Sequence, residues 1–235
     1  MALILILETS TEVCSVALLK DGEIIDLIET KEGQNHARLV SVFAETLFHR
    51  NEVRISDLAA VAVSKGPGSY TGLRIGVSTA KGICYARNIP LIAIGTLEAM
   101  SAHVALNRTK YGIPEGRTTL YCPMIDARRM EVYSMLLADD GRTLKPITAE
   151  IIDEYFLSDE LNENQVVLFG NGSEKCRSIL TSKNAVFVEN IEASAQHMPE
   201  LVWSAFLKNQ FEDLAYFEPF YLKDFVATVS KKNLL

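Results

Sequence analysis

The sequence predicts an α/β protein of two related lobes, each built on a β-β-β-α-β-α unit. Three observations carry that expectation. Residues 3–7 are an unbroken run of Leu and Ile, the pattern of a strand buried on both faces. Between residues 36 and 48 the apolar positions Leu39, Val40, Phe43, Ala44 and Leu47 fall at the i, i+3, i+4 spacing of an amphipathic helix. Residues 8–22, ETSTEVCSVALLKDG, are echoed by residues 126–141, DARRMEVYSMLLADDG. Each is an acidic strand end, a polar turn, an apolar strand and an Asp-Gly hairpin, and one residue of slack aligns Glu12 with Glu131, Ser15 with Ser134 and Gly22 with Gly141.

In order, the strand at residues 3–7 meets the polar turn Thr9-Ser10-Thr11-Glu12, and a second strand follows at residues 13–19. Lys20-Asp21-Gly22 is a hairpin signal leading to a third strand near residues 23–29. The first helix, opened by Gln34-Asn35-His36, gives way to cap residues at Ile55-Ser56-Asp57-Leu58 and a short apolar strand at residues 59–63. The loop Lys65-Gly66-Pro67-Gly68-Ser69-Tyr70 then leads into a second helix over residues 71–87. A strand at residues 90–94 and a third helix at residues 96–106 complete a ribonuclease-H-like order. A polar, Gly-containing linker near residues 107–117 divides a first lobe, residues 1–105, from a smaller second lobe, residues 106–235, whose closing segment could return to the first.

Composition narrows the function classes. A chain that is 48% hydrophobic with 7 prolines can bury a core. The net charge of −7 is opposite to what a protein needs to neutralise phosphates unaided, so any nucleic acid is expected to be held by a partner. Cys14, Cys84, Cys122 and Cys176 form no CxxC pair and read as reduced buried thiols. No stretch reaches the ~18 apolar residues of a membrane helix, so no membrane partner and a cytoplasmic location are expected.

Residues 66–76, GPGSYTGLRIG, are the most informative segment. Backbone N–H groups at a strand-to-helix turn can hold an anion, which makes Gly66, Gly68 and Ser69 candidates, with Arg128 and Arg129 of the second hairpin turn as a further anion site. The segment misses the dinucleotide pattern, because its sixth position is Thr71 and the glycine is displaced to Gly72. A tight turn with Ser69 or Thr71 as helix cap is the favoured reading. In the helix that follows, Gly72, Gly76, Ala80 and Cys84 recur every four residues, and interior glycines cost roughly 1 kcal/mol each against Ala, so some close packing requires them. That packing is either within the lobe or against another subunit. His36, His49, His103 and His197 form no local ligand pattern.

These segments together, ILETSTEVCSVALLKDG, Gln34-Asn35-His36 and above all KGPGSYTGLRIG, resemble the TsaB family of the actin-like, hexokinase-like (ASKHA) superfamily. Phe169-Gly170-Asn171-Gly172 and Pro219-Phe220-Tyr221-Leu222-Lys223 also fit. The resemblance implies a two-lobe actin-like fold and a non-catalytic subunit of the tRNA threonylcarbamoyladenosine machinery. It implies docking on a TsaD-type catalytic subunit through the first two helices, with a TsaE-type ATPase joining and tRNA met only through the complex. The expected interface is His36, Leu39, Val40, Phe43, Leu47, Gly72, Leu73, Gly76 and Ala80, which could pair with itself as a homodimer when the chain is alone.

Catalysis and a cofactor are not expected. The catalytic relative's metal-binding HxxxH corresponds here to Thr96 and Met100, with Glu98 between them, and a hydroxyl and a thioether make a poor hard-metal site. Actin-like phosphate turns need glycine, whereas Glu8-Thr9-Ser10-Thr11 and Asp126-Ala127-Arg128-Arg129 have none. The rival readings are a stand-alone actin-like enzyme, metallopeptidase or kinase, and a module that binds tRNA directly.

Overall fold

A computed structural model describes residues 1–31, 35–115 and 117–223, so the expected helix-entry residue Gln34 lies outside the described residues. The first sheet comprises β1 (Leu3–Glu8), β2 (Cys14–Lys20), β3 (Glu23–Thr30), β4 (Leu58–Gly66) and β5 (Leu91–Gly95), in the order β3-β2-β1-β4-β5. The β1–β2–β3 meander is antiparallel and β1–β4–β5 is parallel, with Leu7 opposite both Val16 and Val63. Two helices, α1 (His36–Arg50) and α2 (Tyr70–Arg87), supply the crossovers.

The unbroken apolar run of β1 follows from this layering. Leu3, Leu5 and Leu7 point into a cluster with Val40, Leu47, Val77 and Ala80 of the two helices. Ile4 and Ile6 point the other way, onto Ala195, Met198 and Val202. A period-2 strand covered on both faces has no polar face to alternate with. α2 starts where Ser69 accepts a hydrogen bond from Gly72 N at 3.2 Å, so Ser69 rather than Thr71 is the cap, and it stops at Asn88 in the left-handed region at φ 51.

The second sheet repeats the plan. It comprises β6 (Thr119–Asp126), β7 (Glu131–Ala138), β8 (Thr143–Ile151), β9 (Gln165–Phe169) and β10 (Ala185–Val188), in the order β10-β9-β6-β7-β8. Read from β8, that is the first sheet's order with each strand replaced by its counterpart, and β6 ends on Asp126 where β1 ends on Glu8. The crossover helices are reduced to α4 (Ser158–Glu163) and a single 3-10 turn, Glu174–Cys176.

The two sheets share α3 (Thr96–Leu106): its Ala99 belongs to the first sheet's core, and Leu97, Met100 and Val104 pack with Tyr121, Ile125 and Phe169 of the second. After β10 the chain turns back. The 3-10 turn Ala195–His197 and α5 (Pro199–Leu207) cover the first sheet's second face, and residues 212–223 run along α2. Among the described residues no helix is long and apolar enough to cross a membrane.

Candidate functional site

The glycines of residues 66–76 serve the β1–β2 turn. A Cβ on Gly68 would stand 2.2 Å from the Ser10 carbonyl oxygen, one on Gly72 2.0 Å from the Thr9 carbonyl oxygen, and one on Gly76 2.3 Å from Thr9 Oγ1. Ser69 N donates to Ser10 O at 2.6 Å, and Thr9 Oγ1 donates to Gly72 O at 2.8 Å. The expected anion cradle at Gly66, Gly68 and Ser69 is therefore filled by the protein's own carbonyl groups, which repel an anion where donors would be needed. Gly66, at φ +110, is closed from outside by the Phe220 carbonyl, 2.7 Å from where its Cβ would lie.

Arg128 and Arg129 sit in the β6–β7 turn with φ 73 and 52, both exposed. Asp126 Oδ1 accepts from Arg128 N at 2.7 Å, and Lys175 Nζ caps the turn by donating to Asp126 Oδ1 at 2.5 Å and to the Arg129 carbonyl at 2.9 Å. The pair belongs to the second sheet, apart from the glycine loop on the first.

At the C-terminal ends of β1, β4 and β5 lie two acids, Glu8 buried and Glu98 half-buried. Glu8 accepts from Ser10 N at 2.6 Å, and burial pushes its carboxyl above the usual carboxylate range. Glu98 is raised by burial too; its carboxylate folds back over Gly95, where a Cβ would collide with Oε2 at 1.8 Å. Thr96 and Met100, the two positions that the resemblance sets against a metal-binding HxxxH, are committed to packing. The Thr96 hydroxyl hydrogen-bonds Ser64 Oγ at 3.2 Å, and Met100 is in the core with its methyl 2.9 Å from where a Gly170 Cβ would lie. His103 and His197, 94 residues apart, stack at 4.1 Å between ring centroids, and His103 Nε2 meets the Tyr111 hydroxyl at 2.8 Å.

The helices α1 and α2 place the expected interface residues mostly inward. Val40, Leu47, Leu73 and Ala80 are at most 1% exposed, Gly72 and Gly76 press on Thr9, and His36 is buried with Nε2 3.3 Å from the Val13 carbonyl. Leu39 and Phe43 are half-buried at the margin of the same core. The correction is physical: an apolar stripe marks the face a helix turns to its own sheet, and residues spent there cannot also meet a partner.

What α1 and α2 turn outward is a different set. Ser41, Val42, Glu45 and His49 are exposed on α1, and Thr71, Ser78 and Gly82 on α2. Between the helices runs an apolar groove of about 480 Å³ whose walls include Ala44, Phe48, Val53, Thr79 and Ile83. A Cβ on Gly82 would meet nothing within 4 Å. Sequence reasoning missed Gly82, although a glycine off the four-residue stripe in mid-helix was the available signal.

The family model described as "TsaD: tRNA N6-adenosine threonylcarbamoyltransferase" matches residues 28–231. The "tRNA threonylcarbamoyladenosine biosynthesis protein TsaB" of Haemophilus influenzae is 30% identical over 94% of this chain and 93% of its own length. The chain belongs to the TsaB family of tRNA threonylcarbamoyladenosine biosynthesis proteins. The TsaB of Bacillus subtilis is 29% identical over the same shares. Among solved structures, a Pseudomonas aeruginosa protein described as similar to the peptidase YeaZ superposes with a TM-score of 0.79 at 23% identity, over 95% of this chain and 100% of its own. That likeness shows the fold: this TsaB-family chain shares the two-sheet α/β architecture of that structure.

Proposed function

We propose that this chain is the non-catalytic docking subunit of tRNA threonylcarbamoyladenosine synthesis, binding a TsaD-type catalytic subunit through the outward faces of α1 and α2. The observation that carries the reading is Gly82. It costs roughly 1 kcal/mol against Ala in a helix interior, yet nothing within the described chain needs its missing Cβ. Gly72 and Gly76 answer to Thr9; Gly82 answers to no neighbour, and it lies one residue from Ile83 on the groove wall. Small residues let a helix approach closely, and an apolar groove between two helices is the shape an amphipathic helix fills.

The non-catalytic part of the reading rests on Thr96 and Met100 being spent on a hydroxyl pair and on core packing, and on the glycine loop being filled by Ser10 and Thr9. In this reading a TsaE-type ATPase joins the assembled pair, tRNA is met through the complex, and the same groove pairs two copies of the chain when the partner is absent. The rival, a stand-alone metallopeptidase or kinase, would have to assemble its chemistry from these occupied positions.

Size-exclusion chromatography with light scattering on this chain, the same-organism TsaD and their mixture tests the proposal. A mixed complex is expected from the wild type, and none from Gly82→Arg or Glu45→Arg, two exposed substitutions that leave the core intact. Gly76→Arg is no substitute, because its side chain would displace Thr9 and report on folding. A full-strength complex with Gly82→Arg would remove α2 from the interface.

A further inference from the structure

We propose that residues 212–223 are an interlobe latch: they are threaded along α2 and end on the second sheet, so that they set the angle between the two halves. Among the described residues α3 packs into both cores, and the crossing segment beside it does the same, with Ile191 and Ala193 in the second core and Ala195 and Met198 in the first. Elements shared in this way form a hinge; a further, distant attachment fixes the angle about it.

The closing segment has the bonds of such an attachment. Glu212 N donates to the Leu91 carbonyl at 2.9 Å, anchoring the start to β5. Leu214 and Phe217 pack on the first sheet's core, and Lys81 Nζ of α2 donates to the carbonyls of Ala215 at 3.4 Å and Phe217 at 3.0 Å. Phe220 N donates to the Lys65 carbonyl at 2.7 Å, just before the glycine loop. Tyr221 stacks on Tyr70 at 4.7 Å between centroids, with its hydroxyl accepting from Arg74 Nε at 3.1 Å and the Arg74 guanidinium 4.2 Å above the Tyr70 ring. Two residues later Lys223 Nζ pairs with Glu131 Oε2 of β7.

Before Lys223 the segment bonds to itself at Asp213 or to the first half; among the described residues Lys223 alone carries it onto the second sheet. The division of labour is chemical. Backbone hydrogen bonds and aromatic stacking hold the segment on α2, and a part-exposed ion pair, weak and readily screened, closes the latch. A pair of that kind opens without unfolding anything. The latch stands on these contacts alone; its consequence, that docking on α2 and the angle between the halves influence one another, rests on the function proposed above.

The experiment uses the full chain without a partner. Spin labels are placed at Glu23→Cys on β3 and Asp159→Cys on α4, exposed positions on opposite halves, and the four native cysteines are buried and do not compete for label. The wild-type distance distribution is expected to be narrow, to broaden in Lys223→Glu and in 1 M salt, and to narrow again in the charge-swapped Lys223→Glu/Glu131→Lys protein, with the melting temperature unchanged throughout. Tyr221→Ala, which loosens the segment from α2, should broaden it as Lys223→Glu does. Distributions that stay at the wild-type width in both Lys223→Glu and Tyr221→Ala would overturn the latch. Loss of TsaD binding in the groove variants with a normal latch, or the reverse, separates this inference from the docking reading.

Discussion

At the scale of single residues, three glycines of one helix have opposite reasons to exist, and substitution by alanine tells them apart. Ala at Gly72 would put its Cβ 2.0 Å from the Thr9 carbonyl oxygen, a backbone atom held in the β1–β2 turn. Overpacking of that kind costs about 1–3 kcal/mol, more than the roughly 1 kcal/mol that alanine gains in helix propensity. Gly76 faces a side-chain atom, Thr9 Oγ1, which is itself fixed by its bond to Gly72 O, so the same sign is expected with a smaller size. Gly82 has open space, and Gly82→Ala is expected to stabilise the isolated chain by up to about 1 kcal/mol while weakening the mixed complex. Thermal melts and titration of the catalytic partner read both quantities. A Gly82→Ala chain that is more stable and binds equally well would leave this glycine without an explanation.

At the scale of elements, the apolar runs and stripes were legible because each strand and helix answers to the layer next to it. The run at residues 3–7 declared a strand covered on both faces, and the repeated acidic-turn-strand-hairpin pattern declared the second sheet. The second half's missing long helices were not legible, since α4 and the Glu174–Cys176 turn leave little periodic signal. The outward face of α1 and α2 was not legible for a related reason: the sequence pattern reports which face of each helix is apolar, and Val40, Leu47, Leu73 and Ala80 on that face are buried in the chain's own core. The stacking of His103 on His197 was hidden by sequence distance. It carries a pH dependence of its own at the joint between α3 and the Ala195–His197 turn. Burial first, then the neighbouring His103 and Lys110, push the His197 imidazole down from 6.5 to about 3, and burial lowers His103 as well. Because the folded value lies below the unfolded one, the unfolded chain binds the extra proton; stability is full above pH 6.5 and is lost as pH falls toward 3. His197→Phe, which cannot take the proton, should flatten the fall in melting temperature between pH 6.5 and 4. Parallel acid limbs in wild type and variant would show that other groups set it.

At the scale of the whole molecule, charge decides what the chain can do with RNA. A protein that neutralises phosphates releases counterions, and its affinity falls with salt at a slope of about 0.9 per phosphate contact on B-form duplex and about 0.7 on single strands. A chain of net charge −7 starts against that, and its exposed arginine pair, Arg128 and Arg129, sits in a turn that already contains Asp126. The lysine that caps this turn is held by Asp126 and two backbone carbonyls. Filter binding of tRNA across a salt series should therefore find weak retention by the chain alone at physiological salt and strong, salt-dependent retention by its complex with the catalytic subunit. Replacing Arg128 and Arg129 with Ala should leave the slope of the complex unchanged. A slope that falls by about 1 for each arginine removed would instead place this turn on the RNA, and tRNA would then be gripped by both subunits. Under that outcome the angle that Lys223 and Glu131 help to fix would also set the distance between the two grips, and unlatching the chain should lower tRNA affinity without touching a single phosphate contact.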